Sequence, residues 1–193
     1  EAAQTHGQIL HTTNRGLSVG MTGLIVHATP IGGLKLIERQ PAEDARGFFE
    51  RMFCQKTLEK LLAGRTVLQV NRSITRKSGA VRGLHFQCAP FTETKIVSCL
   101  RGRVWDVAVD LRKGSPTFLN YYGVLLTEGN QSSYLVPDGF AHGFQTLVPD
   151  CEMLYLHTAG YDADSESALN ALDPRLGINW PTAITERSLR DEQ

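Results

Sequence analysis

Apolar and polar positions alternate in short bursts along this chain, with turn residues between them. The clearest burst is Val104-Trp105-Asp106-Val107-Ala108-Val109-Asp110, where apolar residues offset two aspartates. That is the period of two expected of a strand. Apolar runs at 23–26, 33–37, 66–70, 95–100, 118–126, 133–136, 143–147 and 152–158 predict further strands. Arg101-Gly102 and Lys113-Gly114-Ser115-Pro116 read as turns. One segment has helical spacing: over 55–62, Leu58, Leu61 and Leu62 share a face, and Gly64 supplies a C-terminal stop. From Asp173 onward the pattern is irregular, with Trp180-Pro181 as an anchor. Many short strands with turns between them predict a mainly β fold, an antiparallel sandwich or barrel. Parallel sheets with crossover helices are disfavoured.

The chain has 193 residues, enough for one domain that buries a core without staples. We expect that domain at 23–193. Residues 1–22 are polar and glycine-bearing, and Met21 is the first methionine. They lack the basic region and apolar core of a signal peptide, so they read as an extension or a tag remnant. The 20 Lys and Arg balance the 20 Asp and Glu. This argues against nucleic acid or an anionic membrane as the main partner. No apolar run approaches the ~20 residues that span a bilayer. Cys54, Cys88, Cys99 and Cys151 form no CxxC pair and no zinc-like spacing. They read as buried free thiols in a reducing compartment, the cytoplasm.

Two histidines sit in distinctive company. His85 lies in Val81-Arg82-Gly83-Leu84-His85-Phe86-Gln87, and His142 in Pro137-Asp138-Gly139-Phe140-Ala141-His142-Gly143-Phe144. The second stretch carries P-x-G-x-x-H, which resembles the second half of the signature of cupins, a jelly-roll superfamily. The first cupin half supplies H-x-H and a later Glu, but Gln87 stands two residues after His85. A metal needs three or four N, O or S ligands. With two histidines in prospect, no catalytic metal and no cofactor are expected.

Six segments in order then carry a closer resemblance. They are Asp44-Ala45-Arg46-Gly47-Phe48-Phe49, Arg82 through Gln87, Val107 through Arg112, Gly114 through Phe118, Pro137 through Phe144, and Asp173-Pro174 with Gly177 through Pro181. Over roughly 24–191 the chain resembles the dTDP-4-dehydrorhamnose 3,5-epimerases, dTDP-sugar enzymes of the cupin superfamily. The resemblance implies a cupin jelly roll and inversion of a sugar at carbons 3 and 5, on either side of a 4-keto group. Such chemistry needs a base, an acid across the ring and a stabiliser for the enolate.

By resemblance, His85 is the base, Asp191 the carboxylate that orients it, Tyr155 the proton donor and Lys95 the cation near the keto oxygen. Arg46, Arg82, Gln69, Asn71, His142, Tyr161, Glu166 and Arg190 correspond to substrate-binding positions. Tyr161 is implied to stack on the thymine, and Arg46 and Arg82 suit bidentate contact with phosphate. A homodimer is implied, with an N-terminal strand and Arg46 reaching toward the neighbour's pocket. Two departures stand out. Arg51 occupies a position where the family has Glu, the acid having moved to Glu50, and Val70 and Arg72 flank Asn71 where the family has Asp and His. Three other readings therefore stay open: a single-carbon epimerase, a non-catalytic nucleotide-sugar binding cupin and a metal-dependent cupin dioxygenase.

Overall fold

The computed structural model describes residues 23–192, so the extension read at residues 1–22 lies outside it. The elements run β1 (Leu24–Ala28), β2 (Lys35–Arg39), β3 (Ala42–Asp44), β4 (Gly47–Phe49), α1 (Gln55–Leu58), β5 (Gln69–Thr75) and β6 (Val81–Gln87). They continue with β7 (Lys95–Arg101), β8 (Arg103–Asp110), β9 (Tyr121–Thr127), β10 (Ser132–Val136), β11 (Phe140–Thr146), β12 (Cys151–His157) and β13 (Glu166–Ala168). A six-stranded sheet has the order β1-β2-β10-β7-β12-β5, and a five-stranded sheet the order β13-β6-β11-β8-β9. The strand pairs within both are antiparallel. β3 and β4 form a separate exposed hairpin. This is the expected antiparallel jelly roll.

Alternation along each strand sorts side chains into three layers. Between the sheets lie Val97, Cys99, Val104, Ala108, Tyr134, Phe144 and Met153. Behind the five-stranded sheet, Leu84, Trp105, Val107 and Val109 pack against the irregular tail through Leu176, Ile178 and Trp180. The Trp180 indole N–H is anchored to the Ala171 carbonyl at 3.0 Å. Behind the six-stranded sheet, Ile37, Ile96, Leu135 and Leu156 receive Leu58 and Leu62.

Four expectations are corrected by the structure. The helix is only Gln55–Leu58; residues 59–64 turn away, with Ala63 and Gly64 at φ 50° and 76°. Tertiary burial of Leu58 and Leu62, not a continuous helix, accounts for the leucine spacing. The strand expected at 66–70 is instead Gln69–Thr75, because the site, not the core, faces its inward residues. Asp106 and Asp110 are fully buried. The alternation in β8 therefore separates two interiors, not core from solvent. Cys99 and Cys151 are buried, but Cys54 is half-buried and Cys88 exposed; all four are free thiols. Burial pushes the Cys99 thiol up to about 12, which keeps it protonated and unreactive. Among the described residues, no helix is long and apolar enough to cross a membrane.

Candidate active site

The two sheets part at one end around an open cleft of about 250 Å³. On the five-stranded side, His85 of β6 and His142 of β11 face each other in the ladder, and the register shifts between His142 and Phe144. Two glycines permit this contact. A Cβ on Gly83, at φ 118°, would sit 2.6 Å from the Gly143 Cα and 2.7 Å from the His142 carbonyl oxygen. Only glycine tolerates that approach and that backbone angle.

His85 donates from Nε2 to Asp191 Oδ1 at 2.6 Å. Because a carboxylate only accepts, this contact fixes the ring tautomer and leaves Nδ1 as the basic nitrogen. Asp191 is buried and arrives from the tail. The tail is turned by the Asp191 N–H to the Ser188 carbonyl at 2.9 Å and docked through a bridge between Ala80 and Glu186. Burial, only partly opposed by Asp191, holds His85 below the ordinary histidine value. It is a neutral imidazole near pH 7, the form that can accept a proton. His142 makes a second such pair, Nε2 to Asp106 Oδ1 at 2.7 Å, with both side chains buried. Burial pushes the Asp106 carboxyl up, against the pull of His142.

The six-stranded side supplies different groups. Register across β5, β12 and β7 places Tyr155 beside Asn71 and His157 beside both Gln69 and Lys95. The Tyr155 hydroxyl lies 3.1 Å from Ser73 Oγ, and burial pushes the phenol above its usual range. It stays protonated at any working pH. Lys95 Nζ lies 3.1 Å from Glu93 Oε1 and donates to the His85 carbonyl oxygen at 3.4 Å. The lysine thereby bridges the two walls.

At the rim, the Tyr161 hydroxyl donates to Glu166 Oε2 at 2.7 Å, and Glu166 also pairs with Arg190. The Tyr161 N–H donates to Gln69 Oε1 at 3.0 Å. Arg82 lines the cleft beside β5, with Nη1 donating to Thr75 Oγ1 at 3.4 Å. Gln87, where a metal-binding cupin has histidine, ties the backbone at Phe91, Gly160 and Asp162. Among the described residues, no group of three or more His, Cys, Asp or Glu is placed to hold a metal ion.

The structure thus gathers His85, Lys95, Tyr155, His142, Gln69, Asn71, Arg82, Tyr161 and Glu166 around the cleft. Asp191 stands behind His85 and Arg190 behind Glu166. Arg46 is not among them. It sits at the turn of the β3–β4 hairpin, 90% exposed and paired with Asp44. Glu50 is also accounted for, since it accepts from buried Arg39 at 2.9 Å. That acid does not replace the one missing at Arg51. Sequence reasoning missed Asp106, Ser73, Glu93 and His157. A signal existed for the last two: Glu93 lies two residues before Lys95, and His157 two after Tyr155. Period-two alternation puts each on its neighbour's face.

A jelly roll whose cleft sets a His–carboxylate pair across from a tyrosine hydroxyl and a lysine suits an isomerase. The comparisons with known proteins agree. Residues 28–193 match the family model for dTDP-4-dehydrorhamnose 3,5-epimerase. The chain is similar to the enzyme of that name from Sinorhizobium fredii, 43% identical over 155 residues, or 80% of each chain. It overlays a Legionella pneumophila dTDP-6-deoxy-D-glucose-3,5-epimerase solved with dTDP-4-keto-L-rhamnose. There the TM-score is 0.82 at 40% identity, covering 87% of this chain and 89% of that one. It also overlays ChmJ, a 3'-monoepimerase from Streptomyces bikiniensis solved with dTDP-quinovose, at TM-score 0.79 and 33% identity, covering 86% and 84%. The chain belongs to the dTDP-4-dehydrorhamnose 3,5-epimerase family.

Proposed function

We propose that this protein epimerises dTDP-4-dehydro-6-deoxy-D-glucose at carbons 3 and 5, giving dTDP-4-dehydro-L-rhamnose. The observation that carries the reading is the opposition of two proton-transfer groups across one cleft. His85, paired with Asp191 at 2.6 Å, stands on one wall and Tyr155 on the other. In this mechanism His85 takes the proton alpha to the ketone. Lys95 stabilises the negative charge that gathers on the keto oxygen. Tyr155 returns a proton to the opposite face. Only protons are exchanged and no electrons change hands, so the reaction requires no redox cofactor.

Arg82, Gln69, Asn71 and His142 hold the sugar nucleotide, and Tyr161 offers its ring, 60% exposed, to the base. Arg46 completes the site of a second copy. Its hairpin presents Phe48 and Phe49 to solvent, Leu68 just before β5 is exposed, and the outer face of β5 presents Val70 and Ile74. Exposed apolar surface of this kind suits a homodimer interface. The free thiols fit work in the cytoplasm.

The test is incubation with dTDP-4-keto-6-deoxyglucose in deuterated water, read by NMR. Deuterium at both carbons is expected. The similarity to a 3'-monoepimerase favours one second reading, epimerisation at a single carbon, which predicts label at that carbon alone. Nucleotide binding with no label at either position sinks both and leaves a binding protein.

A further inference from the structure

Two largely buried titratable groups in the cleft have no part in the mechanism above: Glu93, just before β7, and His157, at the end of β12. Both oxygens of Glu93 are engaged. Oε1 lies 3.1 Å from Lys95 Nζ, and Oε2 accepts from His157 Nδ1 at 2.7 Å. The Glu93 and His157 side chains are 9% and 14% exposed. A carboxylate so committed is not offered to a substrate, and in a cleft built for a diphosphate it would repel one. Its place is fixed by backbone on both sides. The Thr94 N–H donates to Thr158 Oγ1 at 2.8 Å, the Thr158 N–H donates to the Thr94 carbonyl at 3.1 Å, and Lys95 pairs with His157 in the ladder.

We propose that Glu93 is a positioning residue for the proton-transfer site, holding Lys95 and His157 in one arrangement from a single carboxylate. This rests on the epimerase reading. The carboxylate can only accept, so His157 must donate from Nδ1. Its Nε2 lone pair then faces Asn71 Nδ2, 3.4 Å away. The ring so fixed lies against Tyr155, with centroids 6.1 Å apart and planes 25° from parallel. One residue therefore sets the lysine that meets the enolate oxygen and the wall that meets the acid. Burial raises the Glu93 carboxyl, but the hydrogen bond from His157 and the charge of Lys95 outweigh it and hold the group ionised.

The test is Glu93→Gln, which keeps the shape and removes the charge, with two independent readouts. In kinetics on the dTDP-keto sugar, kcat is expected to fall about 10- to 100-fold, the usual scale for losing an orienting partner, while KM stays within about 2-fold. In ¹⁵N NMR of the histidine rings, with His157→Gln to assign the signal, His157 is expected as the Nδ1–H tautomer in the unaltered protein. That preference is lost in Glu93→Gln. Unchanged kcat, a rise in KM alone, or an Nε2–H tautomer in the unaltered protein overturns the proposal. An inactive unaltered protein sinks the epimerase reading instead, and the tautomer still decides what Glu93 holds. Should Glu93→Gln not fold, His157→Gln carries the kinetic test. It leaves the Glu93–Lys95 pair standing and is expected to lower kcat with KM retained.

Discussion

On the five-stranded side of the cleft, a carboxylate stands behind each histidine, Asp191 behind His85 and Asp106 behind His142. On the six-stranded side, Glu93 serves a lysine and a histidine together, while the Tyr155 hydroxyl pairs with Ser73 and its ring lies against His157. The origin of the groups differs too. Tyr155 and Lys95 lie within strands, whereas Asp191 comes from the irregular tail. The proposed base is thus a composite of strand and tail that can be taken apart. The proposed acid is a single residue, a phenol that burial pushes further above its usual range. Substitutions on each wall should therefore fail in different ways.

The largest effect is expected from the base. His85→Asn should lower kcat by about 100- to 10,000-fold, the range for losing a general base, with dTDP binding unchanged by calorimetry. Loss of exchange at both carbons should accompany it. Tyr155→Phe should lose inversion on a similar scale but keep deuterium exchange. The enolate still forms at His85 and is reprotonated from the face it came from. If exchange and inversion fall together in Tyr155→Phe, the two walls do not have separate roles.

Asp191→Asn should cost less, about 10- to 100-fold, and move the pH profile. A base works deprotonated, so activity is lost as pH falls through its pKa. Burial holds His85 below the ordinary value, which places this acid limb below about 6.5. Asp191 opposes that lowering, so removing its charge should shift the limb further down. A limb that moves upward contradicts the pairing. The smallest effect on chemistry is expected from Gly123→Ala in β9. The new Cβ would meet Trp105 Cζ2 at 2.3 Å. Melting should report a loss of about 1–3 kcal/mol, the scale of overpacking, with kcat unchanged at low temperature.

The central strands were legible because they bury apolar residues on both faces. β7, β8, β10 and β12 came within a residue or two of their bounds. β5 was not, because its inward residues Gln69, Asn71 and Ser73 serve the cleft and its outward Val70 and Ile74 are exposed. A strand whose polar face points inward inverts the usual pattern. The residues proposed for proton transfer stand out through resemblance alone, and Asp106 reads in the sequence as the polar half of an alternation. Glu93 and His157 are 64 positions apart, and no local period joins such residues. Only the β7–β12 ladder does.

The bond between His85 and Asp191 also has a direction in time. The partners are 106 positions apart. A ribosome that has finished β13 has already made the histidine, the lysine and the tyrosine, but not the carboxylate. On the reading proposed here, such a chain carries the base before the group that orients it. Clipping the tail just ahead of Asp191 would leave a finished molecule with the same gap, its histidine without the carboxylate.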